Sequence, residues 1–459
     1  MAEIRLSASV KRVTSSFTRL FSGKGLINET IKTMSISMVI LVVNMATGML
    51  TARLLGPEGR GMLTAMILWP QFLAFAGTFG IHAALLFHMK KSPDEEAELY
   101  YSALVLTVIA GVVALIAGYW FIPLWMAEQS QEIIRSGQWF MASTPFILLF
   151  FMHNALFRGR EEFHLFNRMR YLVPVLSLAA IVLLAGLGQL TPFIAGITYL
   201  APYIPVTLFA MIRAFKLYRP NLGKFRVVAR KIMRYGFGSY GIDLLGNLIL
   251  YIDQIILVTL LAPGPFGLYV VAVSLSRMVN VFSASINMVL FPKASGLENK
   301  EAAALSLRIF KISTGIAIIC SLVIMLAAPL VIRVLYGSQF VDSIPVFRLL
   351  LLEVVIGGAA LVLAQSFMAI GKPFIVTITQ AIGVVLVIPL LYKLVPIYGP
   401  LGAAMALLIP SFIRLIYVIV SFQRKFGAGI RSFLLTGEDI VWVKKALISR
   451  KGKVKVSGE

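Results

Sequence analysis

The sequence predicts an all-α polytopic membrane protein, with about twelve transmembrane helices in two six-helix bundles and both termini in the cytoplasm. Three observations predict it. Of the 459 residues, 59% are hydrophobic and 14% charged, and the mean hydropathy is +0.89. Soluble chains are roughly half apolar and about a quarter charged. Apolar runs of about 20 residues, enough to cross ~30 Å of hydrocarbon, recur along the chain. Lys and Arg gather in alternate gaps between those runs, the pattern that sets orientation in a membrane.

Taken in order, residues 1–30 form a basic cytoplasmic segment. Leu6, Val10, Val13, Phe17 and Leu20 fall at helical spacing among Arg5, Lys11, Arg12 and Arg19. This fits a helix lying on an anionic inner leaflet, and equally a disordered basic tail. The first apolar run starts about 30 residues in and lacks a small-residue cleavage pattern, so it is expected to be a span rather than a signal peptide. Spans are expected near 33–52, 61–87, 99–122, 139–157, 171–190 and 193–212, making a first bundle over 31–212. A basic linker, 213–234, carries eight Lys and Arg. Spans near 235–261, 266–290, 309–332, 345–369, 374–395 and 400–421 make a second bundle over 235–422. A basic cytoplasmic tail, 423–459, follows. In it Gly437–Ser449 suits a short helix, with Glu438 and Asp439 first and Lys444 and Lys445 last. Each span must be helical, because lipid cannot satisfy exposed backbone groups.

The net charge of +22 would suggest nucleic acid in a soluble protein. Here the charge lies between apolar runs. With the N-terminus inside, 34 basic residues fall in inner segments and 5 in outer ones, while Arg277, Arg348 and Arg414 lie within spans. The charge is therefore topological, and no nucleic acid partner is expected. The halves also echo each other. LLGPEGRG (Leu54–Gly61) and LLAPGPFG (Leu260–Gly267) match at four of eight positions, 206 residues apart. Gly159-Arg160 and Gly371-Lys372 repeat at an offset of 212. Six spans per half imply parallel repeats about an axis along the membrane normal.

Missing motifs exclude several function classes. Gly371-Lys372 is followed by Pro373, and no P-loop occurs, so the chain carries no nucleotide motor of that kind. No DxD pair, HExxH or Cys/His cluster is present. No metal, cofactor or catalytic residue is expected, and the protein is expected not to be an enzyme. The lone cysteine, Cys320, cannot form a disulfide within the chain. The longest outer loop, near Pro123–Gln138, spans about 16 residues and leaves no room for a catalytic outer domain.

Candidate site residues are polar groups inside spans. Ser37, Asn44, Gly48 and Thr51 share one face of span one. Thr64, Gln71, Thr78 and His82 share one face of span two, where Pro70 is expected to kink the helix. Asp243, Asn247 and Gln254 share a face of span seven. Ser276, Asn280, Ser283 and Asn287 share one of span eight, beside Arg277. These stripes either line a water-filled cavity or glue helices together. Span four adds His153 and Asn154; His82 and His153 are more readily hydrogen-bonded core histidines than proton carriers. The ionisable residues are costlier in hydrocarbon. Asp253, Arg277 and Glu353 are expected at one depth, within roughly 5 Å. Asp253 and Arg277 are expected to pair across a short hairpin, as a structural or a functional bridge. Arg348 and Arg414 are expected nearer the span ends, where they can snorkel.

Three segments carry a family resemblance. ARLLGPEGRG (Ala52–Gly61), YIDQIILVTLLAPGPFGLYVVA (Tyr251–Ala272) and ALFRGREEF (Ala155–Phe163) resemble the multidrug/oligosaccharidyl-lipid/polysaccharide (MOP) exporter superfamily, in the branch of Wzx-type O-antigen flippases. The likeness in layout covers residues 30–422. It implies two six-helix bundles with alternating access, in the cell inner membrane. It implies a lipid-linked oligosaccharide on undecaprenyl pyrophosphate as substrate, with polysaccharide polymerase or assembly proteins as partners. It also implies a cationic cavity. The six ionisable residues within spans, Arg277, Arg348, Arg414, Asp243, Asp253 and Glu353, sum to zero, which leaves that charge to Arg53, Arg158 and Arg160 at span ends. An H+ or Na+ coupling ion, if used, would fall to Asp243 and His82. Two alternatives remain: a cation-coupled drug exporter of the same superfamily, and a membrane-embedded sugar-processing enzyme.

Overall fold

A computed structural model describes residues 24–221, 223–278, 299–369, 372–436 and 439. The basic segment before residue 24, Asn280, Ser283, Asn287 and Gly371, and all of Gly437–Ser449 except Asp439, lie outside the described residues. So do the side chains of Asp243 and Asn247.

Helix is the only extended element among the described residues. The helices are α1 (Lys24–Ala76), α2 (Ile81–Lys91), α3 (Glu96–Trp125), α4 (Gln131–Phe140), α5 (Thr144–Gly159), α6 (Phe163–Gly186), α7 (Pro192–Leu200), α8 (Tyr203–Leu217), α9 (Phe225–Leu260), α10 (Pro263–Arg277), α11 (Asn299–Leu335), α12 (Ile344–Ala369) and α13 (Pro373–Phe426). Eight stretches of 18 or more described residues are apolar enough to cross a membrane. Two of them are really pairs: α1 breaks at Gly56 (φ 71°, ψ 178°) and α13 at Gly399 (φ 56°, ψ −135°). Together with the remaining helices, these stretches fit the expected all-α polytopic membrane protein. Large apolar side chains face outward, Trp120 and Leu124 at 72% exposure and Leu326 at 74%. In a polytopic chain that surface is solvated by lipid.

Three features of the sequence gain local detail. The helix runs through Pro70 and ends at Ala76, ahead of a turn at residues 77–80, where Phe79 and Gly80 take positive φ. The outer loop near Pro123–Gln138 is mostly helix, because α3 runs to Trp125 and α4 begins at Gln131, capped by Ser130. Helix also fills most of the linker 213–234, since α8 ends at Leu217 and α9 starts at Phe225.

The chain forms two compact units. One takes residues up to Leu54, Ala65–Trp125 and Ser130–Leu248; the other takes Leu55–Thr64, Met126–Gln129 and Ile249 onward. The first has a core of Leu85, Leu99, Tyr100, Leu156, Phe157 and Met169. The second packs Leu363, Phe367, Val418 and Phe422.

Within the second unit the two echoed motifs meet. A Cβ on Gly61 would lie 1.8 Å from the Pro263 carbonyl oxygen, and one on Gly267 would lie 1.9 Å from that of Pro57. The contact is reciprocal: each motif's glycine receives the other motif's proline. No side chain fits between them, which explains why this Pro-x-x-x-Gly element stands in both halves. Beside it, the Gln129 amide donates to the carbonyls of Val258 and Leu261, both at 2.9 Å. These carbonyls, at and just beyond the C-terminal end of α9, lack helical partners of their own.

Candidate transport sites

The first unit holds a pocket of about 380 Å³ lined by Asn44, Thr47, Gln71, Arg170, Tyr199 and Tyr203 among others. Asn44 and Gln71 come from α1 on either side of its Gly56 break. The nearby hydroxyls are spoken for: Thr47 donates to Val43 O (2.7 Å) and Thr51 to Thr47 O (2.8 Å). Arg170 donates to Ser37 Oγ (3.1 Å) and lies over the Phe166 ring. The amides of Asn44 and Gln71 make no hydrogen bond among the described residues. Free amides beside two tyrosines form a surface that can exchange hydrogen bonds with a polyhydroxylated ligand.

A second, larger pocket in the same unit, about 980 Å³, is lined by His82, Phe87, Lys90, Lys91, Arg158 and Tyr235, with Ala83, Leu86 and Phe163. Its position is set by α2, the end of α5 and the start of α9. The Gly80 and Gly236 backbones touch there, leaving no room for a Cβ, and Phe87 stacks on Tyr235 with centroids 4.3 Å apart. Among the described residues, no carboxylate is in the lining. Lys90 meets Glu161 at 3.0 Å, but both side chains are more than half exposed, so the pair is weak. Lys91 lies over the Phe87 ring. An adjoining pocket of about 760 Å³ shares Tyr235 and adds Arg230, Lys231 and Arg234. His88 borders it, buried, with neither ring nitrogen hydrogen-bonded among the described residues. Burial, then the nearby Lys231 charge, holds the His88 pKa below the ordinary value.

Arg160, two residues from Arg158, has a different fate. It bonds Glu162 at 2.6 Å and the Tyr218 hydroxyl at 2.8 Å, and it pairs with Glu96. It is a structural clamp across α3, α5 and the end of α8.

The second unit holds a cavity of about 320 Å³ lined by Ser276, Arg277, Glu353, Gln380 and Arg414 among others. The expected pair is present: Arg277 donates to Asp253 Oδ2 at 2.8 Å. Asp253 is 1% exposed, and the same oxygen accepts from the Tyr269 hydroxyl at 2.7 Å. Glu353 accepts from Ser411 at 2.8 Å, and Arg414 meets both Glu353 (3.6 Å) and Ser411 (2.6 Å). Each arginine at this cavity has its own carboxylate.

The other sequence candidates are placed as follows. His153 is fully buried, with Nδ1 at 2.8 Å from Leu149 O and Nε2 at 3.3 Å from the Tyr100 hydroxyl; it is a core group. Gln254 is half-buried beside Asp253, outside the cavity. Arg53 is exposed on α1, outside all four pockets. Arg348 donates to Met325 O at 3.3 Å. Sequence reasoning missed Tyr199, Tyr203 and Tyr235 as pocket walls, and treated Lys90 and Lys91 only as topological charge.

A family model for polysaccharide biosynthesis proteins matches residues 50–345. A search of curated protein sequences gives no match. Three solved structures share the fold. An inward-facing multidrug resistance MATE family transporter of the MOP superfamily superposes with a TM-score of 0.69 at 16% identity, covering 86% of this chain and 98% of its own. The lipid II flippase MurJ, in an inward closed conformation, gives 0.69 at 16% identity, covering 88% and 89%. A MOP superfamily transporter from Pyrococcus furiosus gives 0.56 at 18% identity, covering 88% and 95%.

Proposed function

Because this chain belongs to the polysaccharide biosynthesis protein family, within the MOP exporter superfamily, we propose that it flips a lipid-linked oligosaccharide from the cytoplasmic to the outer leaflet of the inner membrane. The observation that carries this is the pocket of Asn44, Gln71, Arg170, Tyr199 and Tyr203 inside a lipid-facing bundle. Sugar hydroxyls lose water hydrogen bonds in hydrocarbon at several kcal/mol each. Two uncommitted amides and two tyrosines replace those bonds at membrane depth. The polyprenyl tail needs no shelter and stays in lipid. Both termini and the segment 213–234 face the cytoplasm, following the distribution of Lys and Arg. The two bundles rock to open the glycan path to one side at a time. The energy comes from an ion gradient or from consumption of product outside. Asp243 and His82 carry the coupling ion where one is used.

Deletion of the gene tests this. Undecaprenyl-linked glycan should accumulate on the cytoplasmic face and surface polysaccharide should fall. Normal surface glycan with new sensitivity to cationic dyes would instead assign the protein to drug export.

A further inference from the structure

Around His88 the first unit leaves a need unmet. His88, near the C-terminal end of α2, is 7% exposed, and neither ring nitrogen is hydrogen-bonded among the described residues. A buried polar group without a partner is destabilising, so its surroundings are incomplete. It borders the pocket of about 760 Å³ that α9 lines with Arg230, Lys231, Arg234 and Tyr235. Exposed arginines are solvated and do not by themselves mark a site; here they stand beside a buried group that lacks a partner. Every charge in that lining is positive. Lys231 is met by Glu95 at 2.8 Å, whereas Arg230 and Arg234, one turn apart, form no ion pair among the described residues. Farther along α9 the same face turns apolar. Arg226, Arg230 and Arg234 are followed at helical spacing by Phe237, 57% exposed, and Val227 beside them is 69% exposed. At Gly238 and Gly241 a Cβ would meet nothing within 4 Å, so the backbone there lies open. A cationic end, a buried unmet ring and an open apolar face along one helix suit an amphiphile with an anionic head.

We propose that His88, Arg230 and Arg234 seat the phosphodiester of an anionic glycerophospholipid of the inner leaflet, with an acyl chain laid along Phe237 and Gly238. A phosphodiester accepts hydrogen bonds and donates none, and the three side chains are its donors: a planar fork from each arginine and a ring N–H from the histidine. The apolar face continuing from the arginines suits a lipid rather than a soluble anion. The leaflet follows from position, because Arg230 and Arg234 end the basic segment 213–234 that the distribution of Lys and Arg puts on the cytoplasmic side. The site is separate from the glycan pocket, so it goes beyond the transport reading and does not depend on the cargo.

The test uses the full chain in detergent and titrates phosphatidylglycerol or phosphatidylcholine of equal chain length, reading bound lipid by native mass spectrometry and melting temperature alongside. Wild type should retain phosphatidylglycerol in preference to phosphatidylcholine, and saturating lipid should raise the melting temperature. Each arginine beside an anionic headgroup contributes about fivefold, so Arg230→Gln with Arg234→Gln should bind roughly 25-fold more weakly. Both side chains are exposed, so the melting temperature without lipid should stay at the wild-type level and separate lost binding from lost fold. His88→Leu, with both arginines intact, should bind several-fold more weakly. Unchanged affinity in either variant would overturn the proposal. Equal retention of phosphatidylcholine would give the pocket to acyl chains alone, and full stabilisation by glycerol phosphate would give it to a soluble anion; either result defeats the lipid site. So would displacement of phosphatidylglycerol by polyprenyl diphosphate at equal mole fraction, which would assign the pocket to a different lipid.

Discussion

The basic pocket of the first unit and the polar cavity of the second both carry arginine, yet they differ in how that charge is met. In the second unit Arg277 has Asp253 and Arg414 has Glu353. In the first, Lys91 and Arg158 have no carboxylate partner among the described residues, and Lys90 shares an exposed one. The difference lies in cost. A buried charge must be paired where it stands, whereas an exposed charge is solvated by water and needs no partner. Counting charge across the spans gives zero and conceals this. Charge is paired in the buried cavity and left to solvent at the exposed pocket.

The largest effect should come from breaking a balanced pair. Arg277→Ala leaves the Asp253 carboxylate buried with only Tyr269 as a donor, and should cost about 3–5 kcal/mol, read as a fall in melting temperature in detergent. The swap Asp253→Arg with Arg277→Asp should recover part of the loss. Additive effects in the double-mutant cycle would show that the two residues do not act as a pair.

Next comes the motif contact. Gly267→Ala drives a methyl into the Pro57 carbonyl, and should cost about 1–3 kcal/mol or more through overpacking. Gly186→Ala, where nothing lies within 4 Å, is the neutral reference. Equal melting temperatures for the two variants would remove the contact from the account.

A smaller effect should follow pH. The depressed His88 pKa means that the unfolded state binds more protons than the folded state below the ordinary value of 6.5. Stability therefore rises with pH and falls on acidification through that value. His88→Gln should flatten the melting curve's dependence between pH 7.5 and 5.5. An unchanged slope would shift the effect to other groups.

The smallest effect sharpens the comparison. Glu161→Gln removes an exposed partner, so stability should change by less than about 1 kcal/mol. A loss well above that would mean that the Lys90–Glu161 pair is not screened by solvent.

The sequence already carried the helical spans, because twenty apolar residues have few other fates. It carried the Asp253–Arg277 pair, because the two stand on adjacent helices at one depth. It did not distinguish Arg158 from Arg160. Both are span-end cations two residues apart, and what separates them is Glu96 and Tyr218, remote in sequence and brought together by folding. It did not show the turn at Phe79 and Gly80, where both residues adopt positive φ, since nothing about a phenylalanine signals that conformation. Asn44 and Gln71 were legible as polar stripes, but their tyrosine neighbours were not, since tyrosine also belongs at membrane interfaces.

The central claim is best tested in proteoliposomes holding the purified full chain and a lipid-linked oligosaccharide in one leaflet. An impermeant glycan-binding probe then reports the sugar exposed on the other side. Wild type should move the glycan across, and Asn44→Leu with Gln71→Leu should reduce the rate at least about tenfold while the protein remains folded. Vesicles in which wild type leaves the glycan in its starting leaflet, yet expels a cationic dye, would contradict the account.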